Sequence, residues 1–163
     1  MNVDILSYMD AAREGVVFGP IPALPGGIVT GEQNLTPDVD VNLVDNLGNI
    51  AAVRSVSLRV DTVCENQTGS GVDTLRLYLS DADTDPRTTP PVLVQALVMQ
   101  PGVTDTTRTD ISGDPRVIDL FSKRRMRLAV TTSYRGPSSG ESLNGRIALS
   151  KLDAVVVTGR KGT

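Results

Sequence analysis

Ser55-Val56-Ser57-Leu58-Arg59-Val60-Asp61 alternates polar and apolar side chains without a break. In an extended chain every second side chain points to the same face, so this stretch predicts a strand with one buried face and one wet face. Thr74-Leu75-Arg76-Leu77-Tyr78-Leu79-Ser80 reads the same way. So do Val39, Val41 and Leu43 between Asp38, Asp40 and Asn42, and Met126, Leu128 and Val130 further on. Ile147 and Leu149 alternate, and Ala154 to Val157 is then continuous. The phase slips near Lys151 and Leu152, which predicts a bulge or strand break there.

Two further stretches are extended but less regular. Val92 to Met99 is apolar in both phases, with Val92, Val94 and Val98 on one face and Leu93, Leu97 and Met99 on the other. That pattern predicts a central strand covered on both sides, the second cover coming from the N-terminal segment or a partner chain. Thr104 to Ile111 is Thr-rich and weakly alternating, as expected of an edge strand. Turn material separates the strands: Asp45 to Asn49, Glu65 to Gly71, Asp81 to Pro91, and the Gly/Ser/Pro loop from Tyr134 to Gly145. Asp114-Pro115 reads as the start of a helix of one or two turns ending near Phe121, with Asp as the cap and Pro in the first turn.

The composition agrees. The chain has 163 residues, enough for one domain, and carries 21 Val and 16 Thr against 4 Glu and 3 Lys. Branched side chains suit strands, whereas Glu and Lys suit helices. Seven or eight strands with turns at regular intervals and no internal repeat predict an all-β chain, an antiparallel β-sandwich. A jelly roll fits the strand count best, with an immunoglobulin-like sandwich as the alternative.

Residues 1–37 stand apart from this pattern and are expected to form an N-terminal arm, with the sandwich over residues 38–163. Val3, Ile5, Leu6, Met9 and Ala12 or Arg13 approximate a helical stripe over residues 1–14. Residues 15–37 are rich in Gly and Pro yet apolar, whereas a free linker is polar. The segment is expected to lie extended against a surface, its own or a neighbour's. Val16, Val17, Phe18, Ile21, Leu24, Ile28 and Val29 are the candidate interaction residues.

Absent residue types exclude much chemistry. The chain has no His, no Trp and one Cys. Ser-His and Cys-His catalysis are excluded, and one thiol without imidazole makes no zinc site in a single chain. Three Tyr and two Phe leave little for stacking on sugars or bases. The net charge of −3 argues against a duplex-binding surface, so no specific nucleic-acid partner is expected. The cluster Lys123, Arg124, Arg125 and Arg127 is read as a solvated strand start paired with neighbouring Asp residues. Asp4 and Asp10 at the start, without a basic region or apolar core, do not form a signal peptide, so cytoplasmic synthesis is expected. Pro20, Pro22 and Pro25 break the most apolar stretch, and no membrane partner is expected. Without a secretory signal, the sequons at Asn34 and Asn66 are read as chance.

Three acidic or thiol features are candidate sites. Asp81, Asp83 and Asp85 alternate like calcium ligands, but Pro86 stands where a helix-loop-helix calcium motif needs Gly, and Val92 where it needs Glu. That motif is rejected, and the plain reading is an acidic loop. Asp105, Asp110, Asp114 and Asp119 have no spacing that sets two carboxylates across a cleft. Cys64 follows an alternating strand and reads as a buried thiol; a disulfide there would have to join two chains. No catalytic, metal or cofactor residue emerges, and no enzyme is expected.

The arm from Met1 to Pro37 followed by strands from Val39 to Thr158 resembles the small jelly-roll accessory proteins of tailed-phage virions, in particular capsid decoration (cement) proteins. The resemblance covers the whole chain as architecture and carries no motif. It implies a virion location, binding to the major capsid protein or other virion subunits at symmetry axes of an icosahedral shell, self-association often as trimers, and no cofactor. The alternatives are another virion part, such as a tail-tube or neck protein, and a glycan-binding sandwich.

Overall fold

The computed structural model describes residues 1–47 and 52–159. In chain order the strands are β1 (Asn2–Asp4), β2 (Val16–Ile21), β3 (Gln33–Asn34), β4 (Val39–Asn42), β5 (Val53–Thr68), β6 (Gly71–Asp81), β7 (Leu93–Met99), β8 (Thr104–Ser112), β9 (Arg125–Arg135) and β10 (Leu143–Thr158). The helices are α1 (Asp10–Glu14), α2 (Val44–Leu47) and α3 (Pro115–Lys123).

All strand pairs are antiparallel and fall into two sheets. The first runs β1-β10-β5-β8, with β2 also on β10. The second runs β3-β9-β6-β7, with β4 also on β9. β1 and β2 share one strand position along β10, and β3 and β4 share one along β9. That leaves eight positions, four in each sheet, with the chain's first and last strands, β1 and β10, as neighbours. This is the two-sheet, eight-position order of a jelly roll. The immunoglobulin-like alternative is set aside on that order.

The alternating residues make the core. Val56, Leu58 and Val60 of β5 face Leu75, Leu77 and Leu79 of β6 and Leu128 and Val130 of β9 within one apolar cluster. β10 shifts register between Leu149 and Lys151, where the phase slip predicted it. The shift keeps Leu149, Leu152 and Ala154 all buried. α3 closes one end of the sandwich with Val117, Leu120 and Phe121. Asp114 caps it, its side chain accepting from the Arg116 N–H at 2.9 Å, with Pro115 in the first turn.

Three expectations change. The run from Val92 to Met99 is not a central strand. β7 lies at the free end of the second sheet, with Leu93, Gln95, Leu97 and Met99 inward and Val94 and Val98 outward, 58% and 71% exposed. An apolar residue in the wet phase looks the same in sequence whether the strand is central or at an edge. Residues 1–14 are not one helix but β1, a 3-10 turn over Leu6–Tyr8, and α1. The stripe was correctly apolar, since Val3, Ile5, Leu6, Met9 and Ala12 are all buried. β10 offers a backbone ladder to residues 2–4 that a short isolated helix cannot match. The turn expected at Asp45 to Asn49 begins as α2; Gly48 and Asn49 lie outside the described residues.

Residues 1–21 thus lie on their own sandwich. β1 and β2 pair with β10, and Phe18 stacks on Tyr134 with ring centroids 4.7 Å apart. Gly145 of β10 permits this approach, because a Cβ there would run into the Phe18 ring and the Glu65 carbonyl.

Candidate interaction surface

The seven candidate residues separate by burial. Phe18 and Ile21 are in the core, at 3% and 8% exposure, and Val16 and Ile28 are half-buried. Val17, Leu24 and Val29 are exposed. Of the seven, these three present a free apolar surface in the single chain.

Val29 belongs to a patch that its own segment does not reveal. It bridges to Arg135 of β9, Arg135 is paired with Val72 of β6, and Val72 is paired with Val98 of β7. Directly paired residues share a face, so Val29, the Arg135 stem, Val72 and Val98 form one row across the outside of the second sheet. The next row is Ala96, Thr74 and Ser133, and the next sets Val94 beside Arg76. Two shallow depressions along this face share Val72 and Arg135. The patch ends where Glu32 pairs with Arg76 at 3.4 Å and accepts from the Tyr78 hydroxyl at 2.9 Å. The sequence signal for it was the valines of β7, expected to be covered by the N-terminal segment or a partner chain; within the single chain Val94 and Val98 stay exposed.

The outside of the first sheet is ionic toward β8, while Val17, Val155 and Val157 stand exposed elsewhere on the same face. Arg108 of β8 donates to both oxygens of Asp61 at 2.9 and 3.1 Å. Those hydrogen bonds hold the Asp61 carboxyl below its usual range. Arg59 donates to Asp110 at 2.9 Å. In register, Lys151 of β10 lies opposite Asp61, and Asp153 opposite Arg59.

Beneath the apolar row lies a buried polar group. Asp73 is fully buried, and neither of its carboxylate oxygens has a well-formed hydrogen bond in the protein; the adjacent Thr74 N–H offsets its burial only in part. Burial pushes its pKa up to about 7. Burial, helped by the nearby Asp73, also raises the Cys64 thiol to about 11, so Cys64 is an inert core residue. The Tyr134 hydroxyl, raised mainly by burial, donates nothing to Asp73; it accepts from Thr132 at 3.0 Å.

The remaining acidic residues do not converge. Asp81 pairs with Lys123 at 2.9 Å, and Asp85 caps the 3-10 turn Pro86–Thr88 and pairs with Arg87. Among the described residues no group of three or more acidic or thiol side chains could hold a metal ion. Asp110 and Asp119 are held by Arg59 and Lys123 respectively, and Asp114 by Arg116. Two members of the basic cluster are paired in the same way: Lys123 with Asp81 and Asp119, and Arg127 with Asp40. Tyr78 and Tyr134 are buried. No described helix is long and apolar enough to cross a membrane.

No family model matches the chain. No curated protein matches it either. Among solved structures, it aligns with a chain of infectious bursal disease virus, Gt strain, at 13% identity and a TM-score of 0.49, over 98% of this chain and 33% of that one. A chain from T=1 particles derived from infectious bursal virus gives 12% identity and a TM-score of 0.49, over 98% and 31%. A chain of the T13 particle of the same virus gives 16% identity and 0.46, again over 98% and 31%. The chain therefore spans about a third of the length of each. The jelly-roll order stands on this chain's own strand pairing.

Proposed function

We propose that this chain is a structural virion protein, a jelly-roll subunit that acts by being placed on a particle. The observation that carries the reading is the apolar row Val29, Val72 and Val98, open on the outer face of the second sheet. Jelly rolls serve as capsid, lectin and cupin domains, so the fold alone does not choose. The residue inventory does. A glycan platform needs exposed aromatics, and the histidines that make cupin metal sites are absent from the sequence. An exposed apolar face with polar borders suits docking to another protein.

Within that class we favour a decoration role on an icosahedral head, with the major capsid protein as partner and tailed bacteriophages as the source. Leu24, whose N–H donates to the Pro137 carbonyl beside this face, would extend the contact made by Val29, whereas Val17 pairs with Arg146 on the outside of the other sheet and would take no part in it. A tail-tube or neck position is the second reading. Antibodies raised against the purified chain should label the heads of intact virions by electron microscopy. Label confined to the tail or neck moves the protein there, and unlabelled virions end the structural reading.

A further inference from the structure

β8 ends the first sheet, and among the described residues no strand pairs with its outer side. Its backbone phase is readable. The Asn66 N–H donates to the Val103 carbonyl at 3.1 Å, one step beyond the regular register that ends at Glu65 opposite Thr104. Odd-numbered residues of β8 therefore turn their N–H and C=O groups toward β5. Thr106, Arg108, Asp110 and Ser112 turn theirs outward.

The side chains at this edge carry a charge pattern. One row across the outer face reads Lys151, Asp61, Arg108: plus, minus, plus. The neighbouring row reads Asp153, Arg59, Asp110: minus, plus, minus. Both rows stop at the free edge with opposite charges two residues apart.

We propose that β8 is a self-association edge, where a second copy of this chain adds its own β8 antiparallel about a two-fold axis at Thr109. Arg108 then lies opposite Asp110 of the second copy, and Asp110 opposite its Arg108. Each row continues through six alternating charges across both copies. The outward amides and carbonyls of Thr106 to Ser112 pair with their equivalents in the same register. Neighbouring registers fail. A centre at Arg108 or at Asp110 sets like charges face to face, and a centre at Thr107 leaves both charges opposite threonine. A centre between residues opposes outward with inward backbone groups. Beyond Ser112, Gly113 (φ 73°) and the cap at Asp114 turn the chain away, so the ladder ends there. The inference concerns this chain alone and stands apart from the virion reading.

The test is light scattering across a concentration series, with thermal melts to confirm folding. The wild type should form a dimer that weakens with salt, since the rows lie in solvent. Asp110→Arg sets Arg108 against a second cation and should weaken the dimer about tenfold or more. Thr109→Cys should form a disulfide-linked dimer on mild oxidation, because a non-hydrogen-bonded pair brings its Cα atoms to about 4.5 Å. The wild type, whose Cys64 is buried, is the control. Should Asp110→Arg fail to fold, the Thr109→Cys cross-link decides. A wild type monomeric at every concentration, a dimer indifferent to Asp110→Arg, or a folded Thr109→Cys chain that does not cross-link overturns the proposal.

Discussion

β7 and β8 are consecutive strands, each at the free end of its own sheet, yet they protect their edges in opposite ways. β7 turns Val94 and Val98 to solvent and leaves an apolar face open. β8 turns out threonines and two fixed ion pairs, Arg108–Asp61 and Arg59–Asp110. An exposed apolar edge invites any partner with a matching surface, whereas a charged edge accepts only a partner in the right register. One flank of the sandwich thus offers adhesion and the other specificity. The two are tied together inside: the Thr62 hydroxyl donates to Gln95 Oε1 at 2.8 Å, and Gln95 Nε2 donates to Thr109 Oγ1 at 2.7 Å.

The largest effect expected concerns the β7 side, where Asp73 lies opposite Leu97 in register. Its folded pKa of about 7 stands well above the ordinary 3.8 of an aspartate carboxyl, so the folded state holds the proton more tightly than the unfolded chain. The stability this confers is fully present below about pH 4 and is lost as the pH rises through about 7. Asp73→Asn keeps the neutral shape at every pH. It should therefore be more stable than the wild type at pH 8, by on the order of 2–4 kcal/mol, and nearly equal to it at pH 4. Denaturant titrations at the two pH values measure this; an Asn variant with no advantage at pH 8 means the carboxylate is satisfied and the β7 side is not strained by it.

A smaller effect should follow from cutting the link between the two edges. Gln95→Leu leaves the fully buried Thr62 hydroxyl without its acceptor and frees Thr109. The expected loss is about 1–3 kcal/mol in urea unfolding. Hydrogen exchange should rise along both β7 and β8; a rise confined to β7 would show that the edges are independent.

The smallest effect on stability, and the sharpest on the comparison, is Val98→Asp. Val98 is 71% exposed, so the melting behaviour should be nearly unchanged, within about 0.5 kcal/mol. Attachment to particles should be lost while β8 self-association persists. If both associations fall together, the apolar and ionic edges serve one interface.

Much of this was legible because strand periodicity is local. The alternation at Val56 to Val60 and Leu75 to Leu79, the slip at Lys151, the cap at Asp114 and the edge character of Thr104 to Ile111 are each written within a few residues. The misread parts all depend on what lies alongside. Val92 to Met99 reads as doubly covered until β6 is found on one side of it and, among the described residues, no strand on the other. Val3 to Ala12 reads as helical because a stripe of buried residues looks alike whether a turn or a strand carries it. The apolar patch needed residues from four separate segments, at Val29, Arg135, Val72 and Val98, to fall into one row.

The sequence by itself determined that this is a β-sandwich of strands with one wet face, without imidazole or aromatic chemistry, because composition and a repeat of two act residue by residue. Only the tertiary structure decided which strands are edges, that residues 1–21 complete the first sheet, and that Lys151, Asp61 and Arg108 line up beside Asp153, Arg59 and Asp110. Those facts come from pairings between residues as many as about 150 positions apart, such as Val3 with Ala154, and register of that kind is set by the packing of the whole core.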